Sequence, residues 1–185
     1  ELLTMLHLLF RVFLATAAAI PAAPDTSSSN ELWQQESYLV SQRASLSGLE
    51  LWERQERRWR PLRAEEAPSA RARVQVVHLW ADWCKPCVQE LPALRDLAQR
   101  VTKDYGSDVT FVFVSETHIN EQMDKFLQAN PKVLEGGALY HDSNGRLADN
   151  LAQGVPQSAL TLPVTLLLDR DQIVRHALVG PVLHR

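Results

Sequence analysis

The chain has 185 residues, a length that suits one compact domain with a tail. Its 45% apolar and 22% charged residues match a globular composition and exclude a disordered chain or a membrane bundle for the body of the sequence. Lys and Arg total 19 against 22 Asp and Glu, and the net charge of −3 supplies no long-range attraction for phosphate backbones, so nucleic acid is not an expected partner.

Residues 2–20 are apolar apart from Thr4, His7, Arg11 and Thr16, and they lead through Pro21, Ala22 and Ala23 into a Ser-rich stretch. Arg11 heads the apolar run 12–20 and would be costly in the middle of a spanning helix, so residues 1–23 read as a secretory signal peptide. The alternative is an uncleaved anchor, because Ile20 or Pro21 stands where cleavage sites carry a small residue; only then would the chain associate with a membrane. The first methionine is Met5, which leaves the natural start open. Residues 24–48 are polar, with a weak apolar pattern at Leu32, Trp33, Tyr38, Leu39 and Leu46, and read as a linker holding at most one short helix.

From 49 to 62 the apolar positions Leu49, Leu51, Trp59 and Leu62 flank a charged stretch, the pattern of two short strands joined by a solvated turn. Arg54, Arg57, Arg58, Arg60 and Arg63 are interleaved with Glu53 and Glu56, so they read as a solvated face rather than a basic docking patch. Residues 74–80 are apolar without strict alternation, as in a central strand buried on both faces. After Cys84, the positions Cys87, Leu91, Leu94, Ala98, Val101 and Tyr105 step by four and three and line one face of a helix that crosses Pro92 and stops at Gly106. A strand over 109–114 completes a βαβ unit. Short helices are expected over 121–129 and 146–153, and the apolar runs 164–168 and 173–179 form a closing hairpin.

Both cysteines, the only two in the sequence, fall at the junction of the buried strand and the helix. Unpaired amides and the positive end of the helix dipole favour a thiolate there. Cys84 comes first and is expected to be the more exposed attacking sulfur; Cys87, one turn in, can resolve a mixed disulfide. Pro86 suits a first helical turn, and Lys85 adds positive charge. The alternatives are a structural disulfide, whose four-residue ring removes little unfolded-state entropy, or a copper or zinc site, which would need further ligands such as His118 or His141.

The stretch VVHLWADWCKPCVQEL at 76–91 resembles the active-site region of thioredoxin-fold proteins, and specifically the exported TlpA/ResA-like thiol-disulfide oxidoreductases. LPVTLLLDRDQIVRHALVG at 162–180 resembles the cis-proline strand and following hairpin strand of that family. The resemblance covers 49–180 and implies an α/β thioredoxin-like fold, a central mixed β-sheet flanked by helices with an N-terminal β-hairpin extension, in a domain running from 49 to 185. It implies Cys84 and Cys87 as nucleophilic and resolving cysteines, and a cis Pro163 that with Leu162 faces them and pairs with the substrate backbone. Trp83, Lys85 and Pro86 border the nucleophile and are expected to contact substrate, with a simple packing role as the alternative for Trp83.

Glu90 matches an acidic residue of the cytochrome-maturation branch and is either a proton relay for Cys87 or an exposed first-turn glutamate. His78 replaces the aspartate or asparagine usual at its position, and is either a proton acceptor with a pKa near working pH or a hydrogen-bonded core residue. The family's helix after the last strand has no counterpart before Arg185, so either it is missing from the sequence or one face of the sheet is less covered. The implied activity is disulfide exchange with protein thiols outside the cytoplasm, in the bacterial periplasm, with an upstream electron donor or acceptor. Cytochrome c maturation and envelope redox homeostasis are the candidate settings, and no cofactor is implied beyond the Cys84–Cys87 disulfide.

Overall fold

A computed structural model describes residues 26–67, 72–117, 120–132, 135–153, 155 and 160–182. The segment expected to be a signal peptide lies outside these, as does His118.

The first element among the described residues is helix α1 (Thr26–Leu39), followed by the hairpin β1 (Glu50–Glu53) and β2 (Arg58–Pro61). Then come β3 (Val74–Trp80), α2 (Lys85–Tyr105), β4 (Val109–Ser115), α3 (Asn120–Ala129), β5 (Ala138–His141), α4 (Arg146–Ala152), β6 (Val164–Leu168) and β7 (Val174–Val179). The strands form one mixed sheet in the order β2-β1-β5-β4-β3-β6-β7. β3, β4 and β5 are parallel, while β6 runs antiparallel to β3.

Alternation along β3 assigns its side chains to two layers. Val74, Val76 and Trp80 face the layer that holds α2, with Leu91, Leu94, Phe111 and Phe113. Val77 and Leu79 face the opposite layer, with Leu39 of α1, Leu147 and Leu151 of α4, and Val164, Leu166 and Leu168 of β6. All seven residues of β3 are buried, which is why its sequence shows an apolar run rather than strict alternation.

Two expectations change. Where the sequence suggests a linker with at most one short helix over 24–48, residues 26–39 form a 14-residue helix docked on the edge strand β7. Leu39, Ala44 and Leu46 are fully buried. The Val179 N–H donates to Glu36 Oε1 at 2.9 Å, and the Ser41 and Ala44 N–H groups donate to Val174 O and Gln172 O, covering the edge of the sheet. The helix is polar on average because only a narrow stripe touches the sheet. The second change is β5, which four residues were too few to announce. It pairs with β4 on one side and β1 on the other, joining the hairpin to the central sheet. Gly137 permits this approach, since a Cβ there would lie 2.6 Å from the Phe113 ring.

The hairpin arginines form a solvated ladder as expected: Arg58 and Arg60 pair with Glu53, and Arg60 and Arg63 with Glu66. α2 runs through Pro92 and ends at Gly106, which adopts φ 57° and donates its N–H to Thr102 O.

If α1 belongs to the core, Leu39→Ala lowers the unfolding free energy by about 2–4 kcal/mol in urea titration. A variant as stable as the parent would return this segment to linker status.

Candidate functional site

β3 ends at Trp80, and the chain turns through Ala81, Asp82 and Trp83 before α2 begins at Lys85. The turn is fastened on both sides. Cys84 N–H donates to Ala81 O, and the Thr117 hydroxyl, just past β4, donates to Asp82 Oδ1 at 2.7 Å. The Glu116 N–H donates to Trp80 O, so the ends of the two parallel strands are locked together.

Cys84 occupies the N-cap of α2 with extended backbone, and its Sγ accepts the Cys87 N–H at 3.4 Å. Pro86 sits in the first turn, where its missing donor costs nothing. Cys84 and Cys87 form a disulfide with Cα atoms 5.3 Å apart. Cys84 keeps 6% of its surface and Cys87 none. Trp83, Lys85 and Pro86 are exposed around them, Trp83 to 66%.

The loop before β6 comes to the same end of the sheet. Leu79 pairs with Val164, which sets Pro163 level with Trp80. The Leu162–Pro163 bond is cis; Pro163 is buried, and half-buried Leu162 packs against the cluster that contains both sulfurs.

His78 and Glu90 meet beneath the disulfide. By alternation His78 points to the α2 layer, and Glu90 follows Cys87 by three residues, on the same helical face. His78 is fully buried and Glu90 is 2% exposed, so the first-turn carboxylate is not a solvated one. His78 Nε2 lies 3.5 Å from Glu90 Oε1, and His78 Nδ1 lies 2.9 Å from Thr165 Oγ1. The Val182 N–H donates to Glu90 Oε2 at 2.8 Å. Burial lowers the imidazole pKa to about 3, because desolvation disfavours the imidazolium; of the two readings of His78, this neutral ring favours the hydrogen-bonded core residue over the proton acceptor.

Sequence reasoning missed four contributors. Thr165 is the lone polar residue of β6, which was the available signal. Asp82 with Thr117, and the buried Glu116, follow strand ends, where only the register reveals a meeting. Of the histidines named as possible metal ligands, His141 is committed elsewhere: its Nε2 bonds Thr117 O and its Nδ1 faces Glu50 Oε2 at 3.3 Å. No group of three His, Cys, Asp or Glu side chains suited to a metal occurs among the described residues.

Fold and site together define a class: a thioredoxin-fold protein whose paired cysteines open the helix after the central strand. The sequence pattern of the AhpC/TSA family matches residues 53–177, and the chain belongs to that family. Sporulation thiol-disulfide oxidoreductase A of Bacillus subtilis is 24% identical over 107 residues, covering 58% of this chain and 59% of its own. The thiol:disulfide interchange protein DsbE of Pseudomonas aeruginosa is 27% identical over 124 residues, covering 66% and 59%. The chain thus spans 59% of the length of the curated relatives it matches. Among solved structures, the thioredoxin domain of a thiol-disulfide oxidoreductase from Bacteroides vulgatus shares the fold, with TM-score 0.53 and 17% identity over 78% of this chain and 92% of that one. The resemblance to thioredoxin-superfamily oxidoreductases is borne out by these relatives.

Glu116 gives the site's surroundings a pH dependence. Its side chain is buried, and burial together with the nearby charges of Asp142 and Asp149 pushes its pKa from 4.5 up to about 8. The folded chain therefore keeps a proton that the unfolded chain releases from about pH 4.5, and stability falls as the pH rises through that window to about 8. Glu116→Gln is expected to match the parent near pH 5 and to exceed it by roughly 1–3 kcal/mol at pH 9 in chemical denaturation. Parallel stability curves would show the carboxyl to be ordinary.

Proposed function

We propose that this chain is a thiol-disulfide oxidoreductase acting on protein thiols and disulfides outside the cytoplasm, with Cys84 as nucleophile and Cys87 as resolver. The observation that carries the reading is the disulfide at the α2 N-terminus, whose first cysteine keeps a small exposed fraction while the second has none. A sulfur at a helix N-cap gains from the amide donors and dipole as a thiolate, so Cys84 is the better nucleophile and the better leaving group. The shielded Cys87 cannot meet a bulky substrate but lies within bonding reach of Cys84.

Oxidation of the dithiol begins when the Cys84 thiolate attacks one sulfur of a substrate disulfide, forming a mixed disulfide and expelling the other sulfur as a thiolate. Cys87 loses its proton and attacks Cys84 Sγ. The Cys84–Cys87 bond forms, and the bond from Cys84 to the substrate sulfur breaks. Glu90, buried one turn beyond Cys87, is taken as the acceptor of that proton. Burial keeps the His78 imidazole neutral and a poor proton acceptor, so of the two candidate acceptors this reading takes Glu90.

Exposed Trp83, Lys85 and Pro86, with Leu162 and Pro163, form the rim on which an extended substrate segment lies. The apolar stretch 2–20 followed by small residues supports export to the bacterial periplasm. Acidic Glu90 and the DsbE-type relative support thiols of cytochrome c maturation as substrates, with general envelope redox homeostasis as the broader setting; an upstream dithiol or disulfide partner restores the enzyme.

Cys87→Ser is expected to accumulate mixed disulfides through Cys84, visible as adducts in non-reducing gels that a reductant releases, while Cys84→Ser accumulates none and loses dithiol turnover. Absence of adducts together with full turnover in Cys84→Ser would remove the reading.

A further inference from the structure

Resolution of a mixed disulfide requires a proton to leave Cys87, which has no exposed surface. An acceptor inside an apolar wall works only if its ionised form is supported, because an isolated buried carboxylate is strongly disfavoured. The support comes from elements remote in sequence. Val182, past the last strand, donates its N–H to Glu90 Oε2 at 2.8 Å. On the other oxygen stands His78 Nε2, at 3.5 Å, a separation that a donated hydrogen bond closes with a shift of a few tenths of an ångström. The far ring nitrogen, Nδ1, lies 2.9 Å from the Thr165 hydroxyl, and the β3–β6 register sets these two residues directly opposite each other.

The ring is neutral, so it carries one N–H, and its tautomer is decided by its neighbours. A hydroxyl can donate; an ionised carboxylate can only accept. With Thr165 donating to Nδ1, the ring proton resides on Nε2 and points at Glu90. We propose that His78, held in this tautomer by Thr165, is the positioning residue that keeps Glu90 ionised and oriented to take the Cys87 proton. This rests on the exchange chemistry proposed above and adds to it two residues, His78 and Thr165, that act through Glu90.

The step is balanced. Cys87 Sγ–H gives its proton to Glu90, the Cys87 thiolate attacks Cys84 Sγ, the bond from Cys84 to the substrate sulfur breaks, and the electron pair leaves on that sulfur. The departing thiolate receives the proton and Glu90 returns to carboxylate beneath the new disulfide. His78 donates throughout and does not titrate. The Phe113 ring of β4 lies 6.2 Å from the imidazole, and the hydrophobic cluster that fills this layer, with Val76, Trp80, Leu91 and Val182, contains both sulfurs. Cys84 and Cys87 are the titratable members of that cluster, and Glu90 is the ion-pair partner found for the ring among the described residues.

Two measurements test the assignment. Nitrogen-15 shifts of the His78 ring in the intact, dithiol-reduced protein at pH 7 are expected to show protonated Nε2 and unprotonated Nδ1; the opposite tautomer, or a charged ring, overturns the proposal. Kinetics supply the second. In single-turnover resolution of a preformed Cys84 mixed disulfide, His78→Leu is expected to shift the acidic limb of the pH profile upward by about one unit. His78→Gln, which returns an N–H near the Nε2 position, is expected to restore most of that shift. In both, alkylation of Cys84 stays within about twofold of the parent, because its activation comes from the helix N-terminus. If Leu and Gln variants resolve with the parent's pH profile, or if both shift equally, His78 has no donor role while the exchange reaction stands. If Cys84 neither alkylates nor forms the mixed disulfide in the parent, the exchange reading itself fails. Should His78→Leu not fold, the tautomer measurement on the parent decides alone.

Discussion

The structure depends on what happens at the carboxyl end of β3. A strand buried on both faces must end where the sheet ends, and its backbone then emerges carrying donors and acceptors that no neighbouring strand can take. Here the emerging chain satisfies itself within four residues: Cys84 N–H returns to Ala81 O, Asp82 binds the Thr117 hydroxyl, and helix α2 starts at once. The first amides of that helix lack intrahelical partners, and the side chain that meets one of them is a cysteine rather than the usual serine or aspartate. The cap position and the reactive position are therefore one residue. The preference of a helix start for negative charge is the same preference that activates a thiol.

That junction also explains the division of labour between the cysteines. The N-cap faces the end of the sheet and retains some exposure, whereas position three of the helix already lies on the face turned toward β3. Any residue three further along faces the same way, which is why Glu90 is buried although its side chain is charged when ionised. Its carboxyl is tolerated because partners arrive from the strand below and from the chain beyond β7. The N-terminal helix plays a comparable part on the opposite layer: it covers the edge strand β7, and its Glu36 closes the backbone of Val179. The two faces of the sheet are thus both anchored by a carboxylate accepting a backbone N–H near the same end of the chain, at 179 and at 182.

How much of this the sequence revealed follows the strength of each local pattern. β3, α2, β4 and the β6–β7 hairpin were visible because each is buried along a whole run or a whole face, so the apolar periodicity is uninterrupted. The cysteine pair was legible for the same reason, standing between two unambiguous elements. α1 was not, because its contact stripe is narrow and includes Gln35 and Glu36, buried polar residues that look solvated in a sequence. β5 was not, because a four-residue strand acquires its identity from the partners on either side. For His78 and Glu90 the residues themselves were noticed, but their states were not. Whether a histidine on a strand is a base or a neutral donor is settled by the group at its other nitrogen, and Thr165 lies 87 positions away.

That dependence on the second nitrogen bears on why a histidine can stand where the resemblance leads one to expect an aspartate or an asparagine. Two carboxyls facing each other in an apolar layer would contest one proton, since like charges a few ångströms apart cannot both ionise without a heavy cost. A neutral imidazole removes the contest: it presents a donor to the remaining carboxyl and asks for a single hydroxyl behind it. The arrangement requires that the ring stay uncharged, and its complete burial ensures this, because desolvation holds its pKa about 3. The same burial that makes His78 a poor base therefore makes it a dependable donor. Replacing the ring by an aspartate would restore a second acid beside Glu90 and leave the Thr165 hydroxyl facing a shorter side chain, so position 78 and position 90 are coupled through one proton, and a change at either alters what the other must do.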